Sequence, residues 1–121
     1  MKLFLLLSSF FILSCSNAQN KKYDLADPKE FVLYLIKLSS DGTKKDWSGV
    51  LSKTIKERQK DNVDGHFEVW SKAFISLAKK CNNDFDKLVV TYDESKSTIQ
   101  IHDSFQIIVS KENGEFKINE N

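Results

Sequence analysis

The chain has very little of what most enzyme motifs need. It has one proline, four glycines, two cysteines and two histidines among 121 residues. Four scattered glycines leave no phosphate-cradling loop, and no Gly-x-Ser-x-Gly elbow is present. Paired-cysteine zinc sites need more thiols than the domain carries. His66-Phe67-Glu68 reproduces the His-x-Glu part of a zinc deaminase signature. No Pro-Cys-x-x-Cys follows, because the sole proline is Pro28. Asp61-Asn62-Val63-Asp64-Gly65 has the look of a calcium loop. With Gly65 at the sixth loop position, Lys60 and Ser71 fall where carboxylates are required, so a plain turn is expected. No metal or cofactor is expected.

Charge of one sign is also lacking. The net charge is +1, and loss of an N-terminal segment containing Lys2 leaves 17 basic and 17 acidic side chains. A neutral domain without a basic face is a poor nucleic-acid binder, so no nucleic-acid partner is expected. Long apolar runs are absent too. The longest, Leu3 to Leu13, is 11 residues broken by Ser8-Ser9. At about 1.5 Å per residue it falls short of the roughly 30 Å of a bilayer core.

That short run has the layout of an export signal, with Lys2 as the positive n-region and Leu3–Leu13 as the apolar h-region. Two cleavage sites are open. Ser16-Asn17-Ala18 offers small residues with cleavage before Gln19. Ile12-Leu13-Ser14-Cys15 resembles the lipobox of bacterial lipoproteins. That resemblance implies a signal peptide of residues 1–14, cleavage before Cys15, and acyl chains on its thiol and new amino group. Such chains would anchor the protein firmly, at about 0.8 kcal/mol per buried methylene. Ser16 is not the aspartate associated with inner-membrane retention, so the resemblance implies the outer membrane, facing the periplasm. If cleavage follows Ala18, the product is instead soluble in the periplasm or secreted. On either reading Cys81 is left alone. It falls on the apolar register of an expected helix and reads as buried core.

Residues 15–26 read as a polar tether and 27–121 as a single α+β domain, an ordinary size for one hydrophobic core. Asp27-Pro28-Lys29-Glu30 is a helix start, with a capping aspartate, proline at the first helical position and a glutamate able to reach back. The helix should end near Ser39–Gly42. A second helix is expected over Lys45–Lys60, with Trp47, Val50, Leu51, Thr54 and Ile55 on one stripe. A third is expected over His66–Cys81, where Phe67, Trp70, Phe74, Leu77 and Cys81 share a face.

The period then changes to two. Leu88, Val90 and Tyr92 alternate, followed by Ile99 and Ile101, then Phe105, Ile107 and Val109. Asn113-Gly114 suits a type I′ hairpin turn, because both central residues need positive φ. Phe116 and Ile118 lie on the returning strand. The expected fold is three N-terminal helices packed on a C-terminal four-stranded antiparallel meander. With its Glu112–Ile118 ending, Glu-Asn-Gly-Glu-Phe-Lys-Ile, this order resembles the nuclear transport factor 2-like, cystatin-like group. That resemblance implies a cone-shaped sheet. It assigns no catalytic residue.

Two functions fit. One is a small envelope lipoprotein that acts as a non-enzymatic module. It would bind a protein or a small apolar ligand and includes immunity-type proteins that block a toxin. The other is a cone-fold hydrolase or isomerase acting on an apolar molecule. Tyr34, Trp47 and Trp70 are the aromatic candidates for ligand or partner contact. Trp47 draws interest because it sits beside Lys44, Lys45 and Asp46. At helical spacing these rings read first as core. His102 is a candidate through its neighbour Asp103. Adjacent strand residues point to opposite faces, so the pair would need a turn to work together.

Overall fold

The computed structural model describes residues 22–119. The expected export signal and the proposed lipidation site, Cys15, lie outside the described residues. Helix α1 runs Pro28–Asp41. Its start follows from the local chemistry: the Asp27 carboxylate accepts from the Glu30 N–H at 2.9 Å, and Pro28 opens the first turn. It ends at Gly42, where φ is +69°, the left-handed conformation that glycine takes without steric cost.

The expected second helix is two pieces. Lys44–Val50 is a 3₁₀ turn sequence, and only Lys53–Arg58 forms an α-helix, α2. Between them Leu51 and Ser52 are extended. The cause is tertiary pairing. Leu51 makes an isolated parallel bridge to Ile118, and the Ser52 N–H donates to the Ile118 carbonyl at 2.8 Å. Ser52 then caps α2 through its hydroxyl. Trp47, Val50, Leu51 and Ile55 are all buried as the stripe required, but Thr54 is exposed.

Helix α3 spans Val63–Lys80, starting three residues before the expected His66. The polar run that reads as a turn is its first turn. The Asn62 side chain occupies the space that a Cβ at Gly65 would take. Cys81 follows as the C-cap, a free buried thiol against the Ala78 carbonyl.

Four strands follow: β1 (Val90–Asp93), β2 (Thr98–Ile101), β3 (Phe105–Glu112) and β4 (Glu115–Ile118). They form one antiparallel sheet in sequence order, the expected meander. Asn113 and Gly114 both have positive φ, as the type I′ turn demands. Leu88 keeps its place in the core, but it follows a short 3₁₀ turn, Phe85–Lys87, rather than opening the strand.

The molecule is thus α+β, helices first and sheet second. The inner sheet face carries Ile99, Ile101, Ile107, Val109, Phe116 and Ile118 against Phe31, Leu35, Trp47 and Phe74 of the helical layer. The outer face is polar in the main, with Gln106 donating to Gln100 across strands. Residues 22–26, read from sequence as the end of the tether, lie against the domain. Leu25 packs on the core, and its carbonyl accepts from the Phe116 N–H at 2.8 Å.

Candidate functional site

Two of the aromatic candidates, Trp47 and Trp70, gather where α3 meets the 3₁₀ segment and the start of β3. Trp47 is fully buried. Its indole meets Phe67 edge-on at 5.3 Å between centroids and Phe74 at 6.4 Å. The indole N–H, which must find an acceptor when buried, donates to Nδ1 of His66 at 2.8 Å. Trp47 therefore has no solvent-facing surface on which a partner could rest. Its neighbours in sequence, Lys44, Lys45 and Asp46, are exposed, so the chain turns sharply from surface to core at this residue.

His66 is the residue that sequence reasoning missed. It is half-buried, and its ring lies flat on Trp70, 5.4 Å between centroids with 12° between planes. Accepting at Nδ1 places the ring proton on Nε2 and requires a neutral imidazole. Burial pushes its pKa below the usual histidine value, which suits that state. The exposed Lys44–Glu68 ion pair, at 2.7 Å, ties the 3₁₀ segment to α3. No local pattern announces the Trp47–His66 contact, since the two residues are 19 apart and on different elements.

Trp70 continues the stack onto Phe74, and Phe74 meets Phe105 edge-on. Its outer side forms one wall of a shallow depression of about 230 Å³, with Val69, Ala73, Phe105 and Gln106. Val69 is 71% exposed, the most exposed large apolar residue among those described. Exposed valine, a half-exposed tryptophan and a phenylalanine around one amide make a surface suited to apolar contact with an orienting hydrogen bond.

Tyr34 sits elsewhere, on α1. It is half-buried beside Tyr23, 5.4 Å between ring centroids, and lines a second shallow hollow with Lys22 and Leu25. Burial first, then the negative charges of Asp46 and Glu115, push its hydroxyl pKa up. An adjoining groove of about 370 Å³ runs between α1 and the turn after α3, past Leu33, Ile36, Lys37 and Phe85. Trp70 and Tyr34 are thus on separate surfaces.

His102 is apart from both. It occupies the β2–β3 turn with φ of +52°, and its backbone N–H donates to Val89. A turn is the setting in which His102 and Asp103 could cooperate. No side-chain hydrogen bond joins them, and neither lines one of the hollows described above. Among the described residues, no group of three or more metal-ligating side chains comes together, and no helix is long and apolar enough to cross a membrane.

Comparison with protein-family models, with curated proteins and with solved structures finds no match to this chain.

Proposed function

We propose that this protein is an exported envelope lipoprotein, anchored through acyl chains on Cys15, whose α+β domain is a non-enzymatic binding module. The observation that carries the binding part is the apolar depression beside α3. There Val69 stands 71% exposed next to Trp70 and Phe105. An exposed valine on a well-formed helix has no role in the core, and a tryptophan at its side is the residue type most enriched in binding hot spots. Supporting this, the large aromatics at the domain centre are packed on one another, with Trp47 and Phe74 fully buried. The anchor rests on the resemblance of Ile12–Cys15 to a lipobox and on the short apolar run before it.

The test is a native mass spectrum of the protein extracted gently from its own envelope, paired with Val69→Glu. The expected wild-type mass is a chain beginning at Cys15 with acyl groups and additional non-covalent mass. The Val69→Glu protein should retain the acyl groups and the fold while losing any bound mass that is not a second copy of this chain. A chain beginning at Gln19 would remove the lipoprotein reading. Bound mass other than a second copy of this chain that survives Val69→Glu would remove this depression as the binding surface.

A further inference from the structure

The two edges of the sheet are treated differently. On β4 two of the outward backbone groups are occupied: the Phe116 N–H donates to Leu25, and the Ile118 carbonyl accepts from Ser52. On β1 they are not. The Val89 carbonyl accepts from His102, and Thr91 and Asp93 stand opposite Gln100 and Thr98. Antiparallel geometry then turns the N–H and C=O of Val90 and Tyr92 away from β2. Among the described residues none hydrogen-bonds to those outward groups.

The open edge is short, four residues, but it lacks other usual protections. Lys, Pro and bulges commonly blunt such an edge. Here Leu88-Val89-Val90-Thr91-Tyr92 is uncharged, β-prone and free of proline, and Val89 is 58% exposed. Charge appears only at its two ends, Lys87 on one side and Asp93 on the other. This placement is self-complementary. If a second copy pairs antiparallel about Val90, Val90 faces its own counterpart and Leu88 faces Tyr92. Each Lys87, at the end of the 3₁₀ turn that leads into the strand, then lies across from the other copy's Asp93. Shifting the register by one pairing step in either direction sets Lys87 against Thr91 or Ser95 and loses both ion pairs.

We propose that the β1 edge is a self-association surface, on which two copies of this chain pair antiparallel about Val90 into one continuous eight-stranded sheet. The occupant is a second copy because the end charges match only that arrangement. Val90 exchanges both backbone bonds with its counterpart, and the Tyr92 N–H reaches the opposite Leu88 carbonyl. Within one copy Lys87 makes only a long ion pair with Asp84, 3.9 Å and well exposed, which an incoming Asp93 can displace. Asp93 is exposed and held in place by the Ser95 N–H and hydroxyl, both on one carboxylate oxygen, with the Lys96 backbone N–H also hydrogen-bonding to the carboxylate. Such an interface is isologous, as two-fold dimers require. It does not depend on the lipid anchor or on the depression beside Val69.

The experiment uses the full chain, co-expressed in its host as two copies with different C-terminal tags and purified in mild detergent. Capture through one tag reads the amount of the other. Wild type with wild type should co-purify. Lys87→Asp with itself sets acid against acid, and Asp93→Lys with itself sets base against base. Each should lower recovery of the second tag about tenfold, because opposed like charges in paired strands are destabilising. Lys87→Asp mixed with Asp93→Lys restores both attractive pairs, so co-purification should return. This mixed arm guards against a folding artefact, as a damaged variant would not be rescued by a second damaged variant. Absence of wild-type co-purification, or equal recovery in all four combinations, would overturn the proposal.

Discussion

Trp47→Phe keeps an aromatic ring in the centre of the core and removes two things. The first is the indole N–H that donates to His66 at 2.8 Å. A buried neutral hydrogen bond contributes about 0.5–1.5 kcal/mol. His66 is half-buried, so water can partly replace the lost donor, and about 1 kcal/mol is the fair figure here. The second is volume. Truncating a buried aromatic to alanine costs about 3–5 kcal/mol, and phenylalanine removes only about a third of the indole ring system, which gives about 1–2 kcal/mol. Trp47 is fully buried against Phe67 and Phe74, so the cavity cannot close by a simple surface shift. The expected loss is therefore about 2–3 kcal/mol, or a midpoint roughly 10–20 °C lower for a domain of this size. Urea unfolding followed by far-ultraviolet circular dichroism measures it, with an unchanged m-value showing that the unfolded reference is the same.

The same reasoning predicts coupling. His66→Phe strands the buried indole N–H, whereas the Trp47→Phe/His66→Phe pair strands nothing. The double variant should be more stable than additivity predicts, by about 1 kcal/mol. A Trp47→Phe loss below about 0.5 kcal/mol, or a cycle additive within about 0.3 kcal/mol, would refute the burial and the hydrogen bond together.

Two further outcomes follow. Because burial lowers the His66 pKa in the folded state, the unfolded chain takes up this proton first as pH falls. Stability contributed by neutral His66 is full above about pH 6.5, declines as pH falls toward the lower folded value, and levels off beneath it. Urea midpoints at pH 7.5 and 5.5, a range kept above ordinary carboxylate titration, should separate in wild type and converge in His66→Phe. At the other end of the domain, Asp27→Ala removes the cap on Glu30 and should cost about 1 kcal/mol, while Asp27→Asn should cost much less. Equal midpoints for Asp27→Ala and wild type would show that the cap contributes nothing.

Where local chemistry alone determines an element, the sequence was sufficient. Asp27-Pro28 set the start of α1, Gly42 its end, and Asn113-Gly114 the final hairpin. Alternating apolar residues identified all four strands and their inner face. Failures came where a distant partner overrode the local signal. Trp47, Val50, Leu51 and Ile55 are spaced as one helical stripe, yet Leu51 leaves the helix to bridge Ile118. Their burial was legible and their backbone was not. Likewise Asp61–Gly65 carries every mark of a turn, yet Val63–Gly65 coil into the start of α3, with the Asn62 side chain filling the space a Cβ at Gly65 would take. At the candidate site, Trp70 was legible as an aromatic on the face of α3. The depression it borders depends on Phe105 of β3, and His66 acquires its role from Trp47 across two elements. No spacing rule reaches such pairs.

The location of the unexplained apolar residues then bears on how recognition works. A chain of net charge +1 generates little long-range field, so electrostatic steering contributes little to encounter. What holds a partner must act at contact distance. Two surfaces that break the polar exterior, Val69 beside Trp70 and Val89 beside the open β1 edge, offer different kinds of contact. At the first, burial of apolar area dominates, and added salt should leave it intact or strengthen it. At the second, backbone hydrogen bonds supply attraction without choosing a register, and the Lys87 and Asp93 pairs choose it. Those pairs are exposed and therefore screened by salt. High salt should thus loosen copy-to-copy pairing while sparing whatever occupies the depression. The two surfaces can act independently because α3, which carries Val69, lies in the helical layer, while the β1 edge belongs to the sheet.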